Sequence, residues 1–311
     1  MTLPDSYLSY PHRRAGMDHE RYAYSPLFKR RPVVWPGGAR VALWIVPTLE
    51  LFPLDMTSGA IKPPGGLERP YPDYWNYTLR DYGNRVGAAR IFRALEQRGL
   101  KASVAMSAGL VARYPHLMTD VRRHGHELIA HGLDMGHIHA GELAEAEERR
   151  WVGEALRVLR AASGQPVTGW YSPAHAETWN TLDLVAEAGC AYVCDWVNDD
   201  MPYRLQTRSG ELHAMPHAYE VSDLQLFHTY RYKPRQFVTQ VIDHFDHLYR
   251  EAGTSGAGRI VALSLRPWLS GVPHRIAAIE QVLDHLGRHA GVWSATGAEI
   301  LAAWRAQQSE E

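Results

Sequence analysis

The sequence predicts an α/β barrel of about seven parallel strands, and three features of the chain carry that expectation. From Asp81 onward, strand-like and helix-like segments alternate, the pattern of parallel pairing with helices outside. The strand-like segments are short and almost wholly apolar, as strands buried on both faces are. Polar and ionisable residues recur just after them, and parallel barrels place their chemistry at the carboxyl ends of their strands. With 311 residues, 45% hydrophobic and 22% charged, the chain can bury one large core. We expect an extended N-terminal arm over residues 1–38 and a single barrel over 39–311.

The arm segment has Pro32, Pro36, many aromatic and basic residues, and no sustained periodicity. Residues 40–47 form the first buried strand. A Pro- and Gly-rich excursion over 51–79 follows, with aromatics at Tyr71, Tyr74, Trp75 and Tyr77, too long for a mere connection. Residues 81–85, Asp81-Tyr82-Gly83-Asn84-Arg85, read as a glycine-containing turn capping the next helix, with a possible interface role. Val86, Ala89, Phe92 and Leu95 share one face of a helix over 85–97, and Gly99 stands where a C-terminal cap belongs. A strand at 102–106, a helix to about 123 and a strand at 127–131 follow. The next helix, about 142–162, stops at Gly164, and a strand at 167–172 leads to a helix at 181–188 closed by Gly189. After a strand at 191–196 comes an irregular stretch, 198–232, with short strands expected at 212–216 and 224–228. A helix at 234–251, a strand at 259–265, a helix at 273–287 and a strand at 292–294 complete the repeat. The last helix opens with a Thr296-x-x-Glu299 capping box.

Composition narrows the function. Lys and Arg total 33 against 34 Asp and Glu, so no basic footprint for nucleic acid or a membrane surface is present. The N-terminus lacks the basic start and apolar core of a signal peptide, and no apolar run is long enough to span a bilayer, so we expect a cytoplasmic chain acting on a small molecule. Cys190 and Cys194, the two cysteines, read as ordinary buried thiols. No nucleophile elbow, dinucleotide fingerprint or Walker loop is present.

The candidate chemistry sits at the strand ends. His131, followed by Gly132, ends the third strand, where an imidazole can act as acid, base or hydrogen-bond donor. His137 and His139 follow in the loop; they do not share a helical face with His131, and metal ligation by these three histidines is the less favoured alternative to loop hydrogen bonds. Glu50, after a wholly apolar strand, is a candidate general base. Asp195, with Asn198, Asp199 and Asp200 close behind, crowds carboxylates in a way that raises the pKa of at least one. Arg266 ends the 259–265 strand and can clamp a carboxylate or a developing oxyanion, or pair with Glu50 or an aspartate. Substrate contacts are expected from Trp170, Tyr171, Asp199, Trp268 and Trp75.

Several stretches together resemble the polysaccharide deacetylase family, and more closely its branch of metal-independent allantoinases and cyclic-imide hydrolases. They are residues 41–52, Asp81 to Gly87, the Gly125 to Gly132 segment, Gly169-Trp170-Tyr171-Ser172-Pro173, the Cys194 to Pro202 segment, the Arg266 to Arg275 segment, and residues 292–300. They cover roughly residues 40–305 in the family's order. The resemblance implies a distorted (β/α) barrel with about seven strands, hydrolysis of an amide-type C–N bond and a homo-oligomer, dimer or tetramer. Metal-dependent members carry an Asp-Asp pair after the first strand and a His-x-x-x-His pair; here the first site reads Thr48-Leu49-Glu50, and Met135 stands four residues after His131. The family's arginine in the fourth-strand motif is matched by Trp170, and its late catalytic histidine by Arg266. These departures favour the allantoinase-like branch and a site without a cofactor. The alternatives are a zinc-dependent polysaccharide or peptidoglycan N-deacetylase, with zinc on His131 helped by Glu50, His137 or His139, and a non-catalytic binder of a small ligand.

Overall fold

The computed structural model describes residues 19, 21–54, 72–141 and 143–308. At its centre seven strands run parallel: β1 (Val41–Leu49), β2 (Ser103–Met106), β3 (Glu127–Ala130), β4 (Gly169–Trp170), β5 (Tyr192–Val193), β7 (Leu212–Ala214) and β8 (Arg259–Leu265). Their spatial order is β7-β5-β4-β3-β2-β1-β8; β6 (Tyr203–Leu205) adds antiparallel to β7, and β9 (Val292–Ser294) pairs parallel with the start of β1. The sheet curls strongly. Trp44 of β1 comes within 6.3 Å, ring to ring, of Tyr192 of β5, four strands away. The result is the predicted barrel in distorted form, a half-barrel in which no ladder among the described residues joins β7 to β8.

Strand β1 shows why an unbroken apolar run folds this way. Val41, Leu43 and Ile45 point outward into a core shared with α7 (Pro234–Ser255) and α9 (Pro273–Gly287). Ala42, Trp44 and Val46 point inward to meet Ile129, Tyr171 and Tyr192 from the far side of the curl. Alternate residues therefore face two cores, and every residue of the strand is buried.

Most predicted boundaries lie close to the observed ones, because the helices stop where the glycines are: Gly99, Gly164 and Gly189 all adopt positive φ. The capping box is formed, with Thr296 N–H donating to Glu299 Oε2 and Glu299 N–H to Thr296 Oγ1. Two expectations are corrected. Residues 224–228 are no strand but part of a π-helical turn, Leu224–Thr229, and residues 81–85 are no capping turn. Instead α1 (Tyr74–Tyr82) runs through a π-helical turn at Gly83–Gly87 directly into α2 (Ala88–Glu96). Tyr71 and the Pro63 to Gly66 run of the long excursion lie outside the described residues.

That π-helical turn seats α8 (Pro267–Ser270), the short helix that follows β8. A Cβ placed on Gly83 would lie 2.6 Å from the Trp268 nitrogen, and one on Gly87 would run into the Pro267 carbonyl. Only glycine lets the backbones meet there. The arm lies against the body at both ends of the sheet: Trp35 is buried and donates its indole N–H to the Arg259 carbonyl, while the Arg21 carbonyl accepts from Gln206 N–H just past β6. No helix among the described residues is long and apolar enough to cross a membrane.

Candidate active site

Glu50 follows β1, His131 follows β3, Tyr171 follows β4, Asp195 follows β5 and Arg266 follows β8, so strand order alone gathers five polar side chains on one rim. Glu50, His131, Tyr171 and Arg266 are buried, and Asp195 is partly exposed. His131 Nδ1–H donates to the Tyr171 carbonyl at 2.7 Å, which fixes the neutral tautomer and leaves Nε2 a bare lone pair 3.9 Å from Glu50 Oε1. Burial pushes the imidazole down to about 4, against the opposing pull of the Glu50 charge, so at neutral pH it is an unprotonated base.

Glu50 is held from three sides. Trp268 Nε1–H donates to Oε2 at 3.0 Å, the Arg266 Nε lies 3.3 Å from Oε1, and Asn84 Nδ2, from the π-helical turn, donates to the Glu50 backbone carbonyl at 2.9 Å. Arg266 in turn donates from Nη2 to the Tyr171 hydroxyl at 3.0 Å. That occupies a lone pair of the phenol, so the Tyr171 proton goes on to His175 Nε2, 2.8 Å away. Asp223 accepts from the Arg266 backbone N–H and from Ser270 Oγ, and burial raises its carboxyl to about 6 despite the guanidinium beside it. Arg266 is thus the hub of the rim, and both sequence-level readings of it, clamp and ion-pair partner, describe the same side chain.

A set of buried polar atoms here makes no hydrogen bond: Thr48 Oγ1, His131 Nε2, Asp195 Oδ2, both nitrogens of His217, Asp223 Oδ1, Ser264 Oγ and Arg266 Nη1. Protein interiors satisfy nearly all such groups, so this concentration at one rim marks a place shaped for something other than itself. Beside it, His175, Glu177, Asp195, Trp196, Val197 and Asn198 line an open surface pocket of about 350 Å³. Asp195 Oδ1 accepts from Ser172 N–H, and burial pushes its carboxyl up to about 7, against the opposing pull of its hydrogen bonds to Ser172 and Glu177. Glu177, with Trp196 Nε1–H donating to it, is raised well above the usual range by burial and then by the Asp195 charge, so the two carboxyls share protons. A larger hollow of about 530 Å³, lined by Arg98, Glu280, Asp284 and Arg288, is open surface among charged side chains.

The other expected residues are placed as follows. Trp268 joins the site. Trp170 does not: neighbours on a strand face opposite ways, and with Tyr171 inward, Trp170 points out into the helical layer, its Nε1–H on Ser172 Oγ. Asp199 is taken by the arm, receiving the Arg30 guanidinium, and Trp75 stands 46% exposed on α1. His137 pairs with Asp134 at 2.7 Å and His139 with the buried Glu148 of α5 (Glu145–Ser163) at 3.0 Å, so neither turns to the rim. His217 and Asp223 went unforeseen. The signal for His217 was present, since it stands three residues beyond β7 as His131 stands one beyond β3; Asp223 lies in an irregular stretch that offers none.

A deacetylase-type metal does not fit this donor set. Glu50 Oε1 and His131 Nε2 lie 3.9 Å apart, no trio of metal-ligating side chains is assembled at the rim among the described residues, and the Arg266 cation already lies against the carboxylate.

Residues 76–193 match the polysaccharide deacetylase family. A Schizosaccharomyces pombe chain that carries the polysaccharide deacetylase name is 25% identical over 293 residues, 87% of each chain. A crystal structure from Pseudomonas aeruginosa PAO1, of a chain under the same family name, superposes with a TM-score of 0.80 at 26% identity, covering 91% of this chain and 97% of its own. The crystal structure of PuuE allantoinase gives a TM-score of 0.79 at 26% identity, covering 91% and 96%.

Proposed function

We propose, from the premise that this chain carries a polysaccharide deacetylase domain and is a hydrolase of C–N bonds, that it opens a small cyclic imide or ureide without a metal at its rim. The observation that carries the reading is the neutral His131, its bare Nε2 aimed at a Glu50 that an arginine and an indole hold in place. A water bonded to both adds to the ring carbonyl carbon as its proton passes to His131 Nε2. Glu50 offsets the imidazolium charge that forms. The buried Arg266 Nη1–H, which makes no hydrogen bond and lies 3.7 Å from Asp223 Oδ1, meets the oxygen as it becomes anionic. The C–N bond then breaks with its electron pair on nitrogen, and the Asp195 carboxyl, part-protonated near pH 7, supplies the proton. His175 links the two halves, lining the pocket with Asp195 and accepting the Tyr171 hydroxyl.

The test is turnover of allantoin, hydantoin and succinimide by chelator-treated protein. Activity should survive chelation, and Glu50→Gln and His131→Ala should each lose roughly 10²–10⁴-fold in kcat. Unchanged turnover in both variants, or activity that appears only on adding a divalent ion, would sink the reading. The family match also supports N-deacetylation of a sugar amide, for which acetate release from N-acetylated oligosaccharides is the assay.

A further inference from the structure

We propose that Asp246, His285 and His289 form a binding site for one zinc-class divalent cation on the outside of the molecule, clamping α7 to α9 at the end opposite the rim. One ligating atom from each of the three lies within 4.8 Å of the other two. His285 stands in the last turn of α9 and His289 two residues past its end, their ring centroids 4.8 Å apart, and Asp246 meets them from α7.

The imidazoles are prepared in ways that an ordinary surface Asp-His pair does not need. His289 Nδ1 donates to the His285 carbonyl at 2.8 Å, which fixes its tautomer and leaves Nε2 unprotonated, the form a metal requires. Phe245 packs against both rings and Tyr249 against His289, with the Tyr249 hydroxyl tied to the Ala290 carbonyl at 2.6 Å. The site lies where α9 ends, and the unpaired carbonyls of a helix C-terminus favour a cation. In the metal-free form His285 Nε2–H donates to Asp246 Oδ1 at 2.8 Å, so binding there puts the ion in place of that proton, which moves to Nδ1 of the same ring. Tetrahedral zinc spaces its ligands about 3.4 Å apart, so the trio must close by roughly an ångström, within the reach of side-chain rotation. Two imidazoles and one carboxylate suit zinc, cobalt or nickel rather than calcium or magnesium, and the partial exposure of all three residues gives an ion access.

The sheet's strands start at this end: His289 precedes β9 by three residues, whereas Glu50 and Arg266 lie past strand ends. The proposal is therefore independent of the rim chemistry, and metal found in the purified protein would not by itself report on catalysis.

The experiment is calorimetric titration of zinc chloride into the untagged, chelator-stripped full chain, with cobalt absorption as a second readout. One equivalent should bind, raise Tm and give the intense visible bands of tetrahedral cobalt. His285→Ala and His289→Gln should each weaken binding by more than the ~10–100-fold that loss of an outer partner costs, while Glu50→Gln binds as wild type. No saturable binding up to millimolar zinc overturns the proposal. So does equal affinity in His285→Ala and His289→Gln, or loss of binding in Glu50→Gln. Should His285→Ala fold poorly, the half-buried His289→Gln decides alone.

Discussion

Protonation of two side chains governs the rim at the residue scale. His131 must be neutral to accept a proton, and burial lowers it to about 4; Asp195 must be protonated to donate one, and burial raises it to about 7. The expected kcat/KM profile therefore rises through about pH 4 and falls through about pH 7. Asp195→Asn should lower the plateau and abolish the alkaline fall; an unchanged alkaline limb in that variant would remove Asp195 from the acid role. Trp268→Phe is the finer probe, because it keeps a ring against the Arg80 guanidinium, 4.9 Å from the Trp268 ring, and deletes only the N–H on Glu50. We expect kcat to fall about tenfold and Tm to fall as well, given the ~1.5–3 kcal/mol of stability typical of a hydrogen bond to a charged group. The residue types at these positions could be read from the sequence, since an ionisable group directly after an apolar run announces itself. Their partners could not: Glu50 and Arg266 are 216 positions apart, and only the curl of the sheet brings them together.

Among elements, the telling contact is between the π-helical turn and α8. Gly87→Ala should push α8 outward, lose about 1–3 kcal/mol by overpacking and reduce activity by loosening Trp268 from Glu50. Gly153→Ala is the matched control. It lies within α5, a Cβ there meets nothing within 4 Å, and the substitution should stabilise by about 0.5–1 kcal/mol. Thermal denaturation of the two variants checks both signs. This contact was half readable from the sequence: the glycine-containing motif stood out, but as a turn, because a π-helical turn inside a continuous helix has no residue signature separate from a cap. Trp170 was misplaced for a simpler reason. Trp170 and Tyr171 look equally buried in sequence, and which of the two faces inward rests on pairing the sequence does not display.

For the whole molecule, the buried histidines and the buried carboxyls pull stability in opposite directions with pH. His131 and His217, lowered to about 4 and about 3, favour the folded state above pH 6.5 and withdraw that support as pH falls toward their folded values. Asp195 and Asp223, raised to about 7 and about 6, do the reverse, costing stability progressively from pH 3.8 upward. Asp195→Asn should therefore raise Tm relative to wild type at pH 8, where the cost is complete, with the gain gone near pH 4. A gain that grows on acidification would contradict the assigned shift. The barrel itself was the most readable level, since seven repeats of strand and helix outvote any one misjudged segment; the openness of the sheet between β7 and β8 was not, because closure depends on pairings across the irregular 198–232 stretch.

The glycine seat under α8 also constrains how relatives of this chain can diverge. Gly83 and Gly87 are matched on the other side by Gly271, where a Cβ would strike the Gly87 backbone, so three positions from two distant segments are mutually exclusive with side chains. A drift at one cannot be repaired locally, because the obstacle is main chain. Lineages that keep an arginine and tryptophan at positions 266 and 268 should keep all three glycines together, and lineages that lose one should be found to have rebuilt the whole corner.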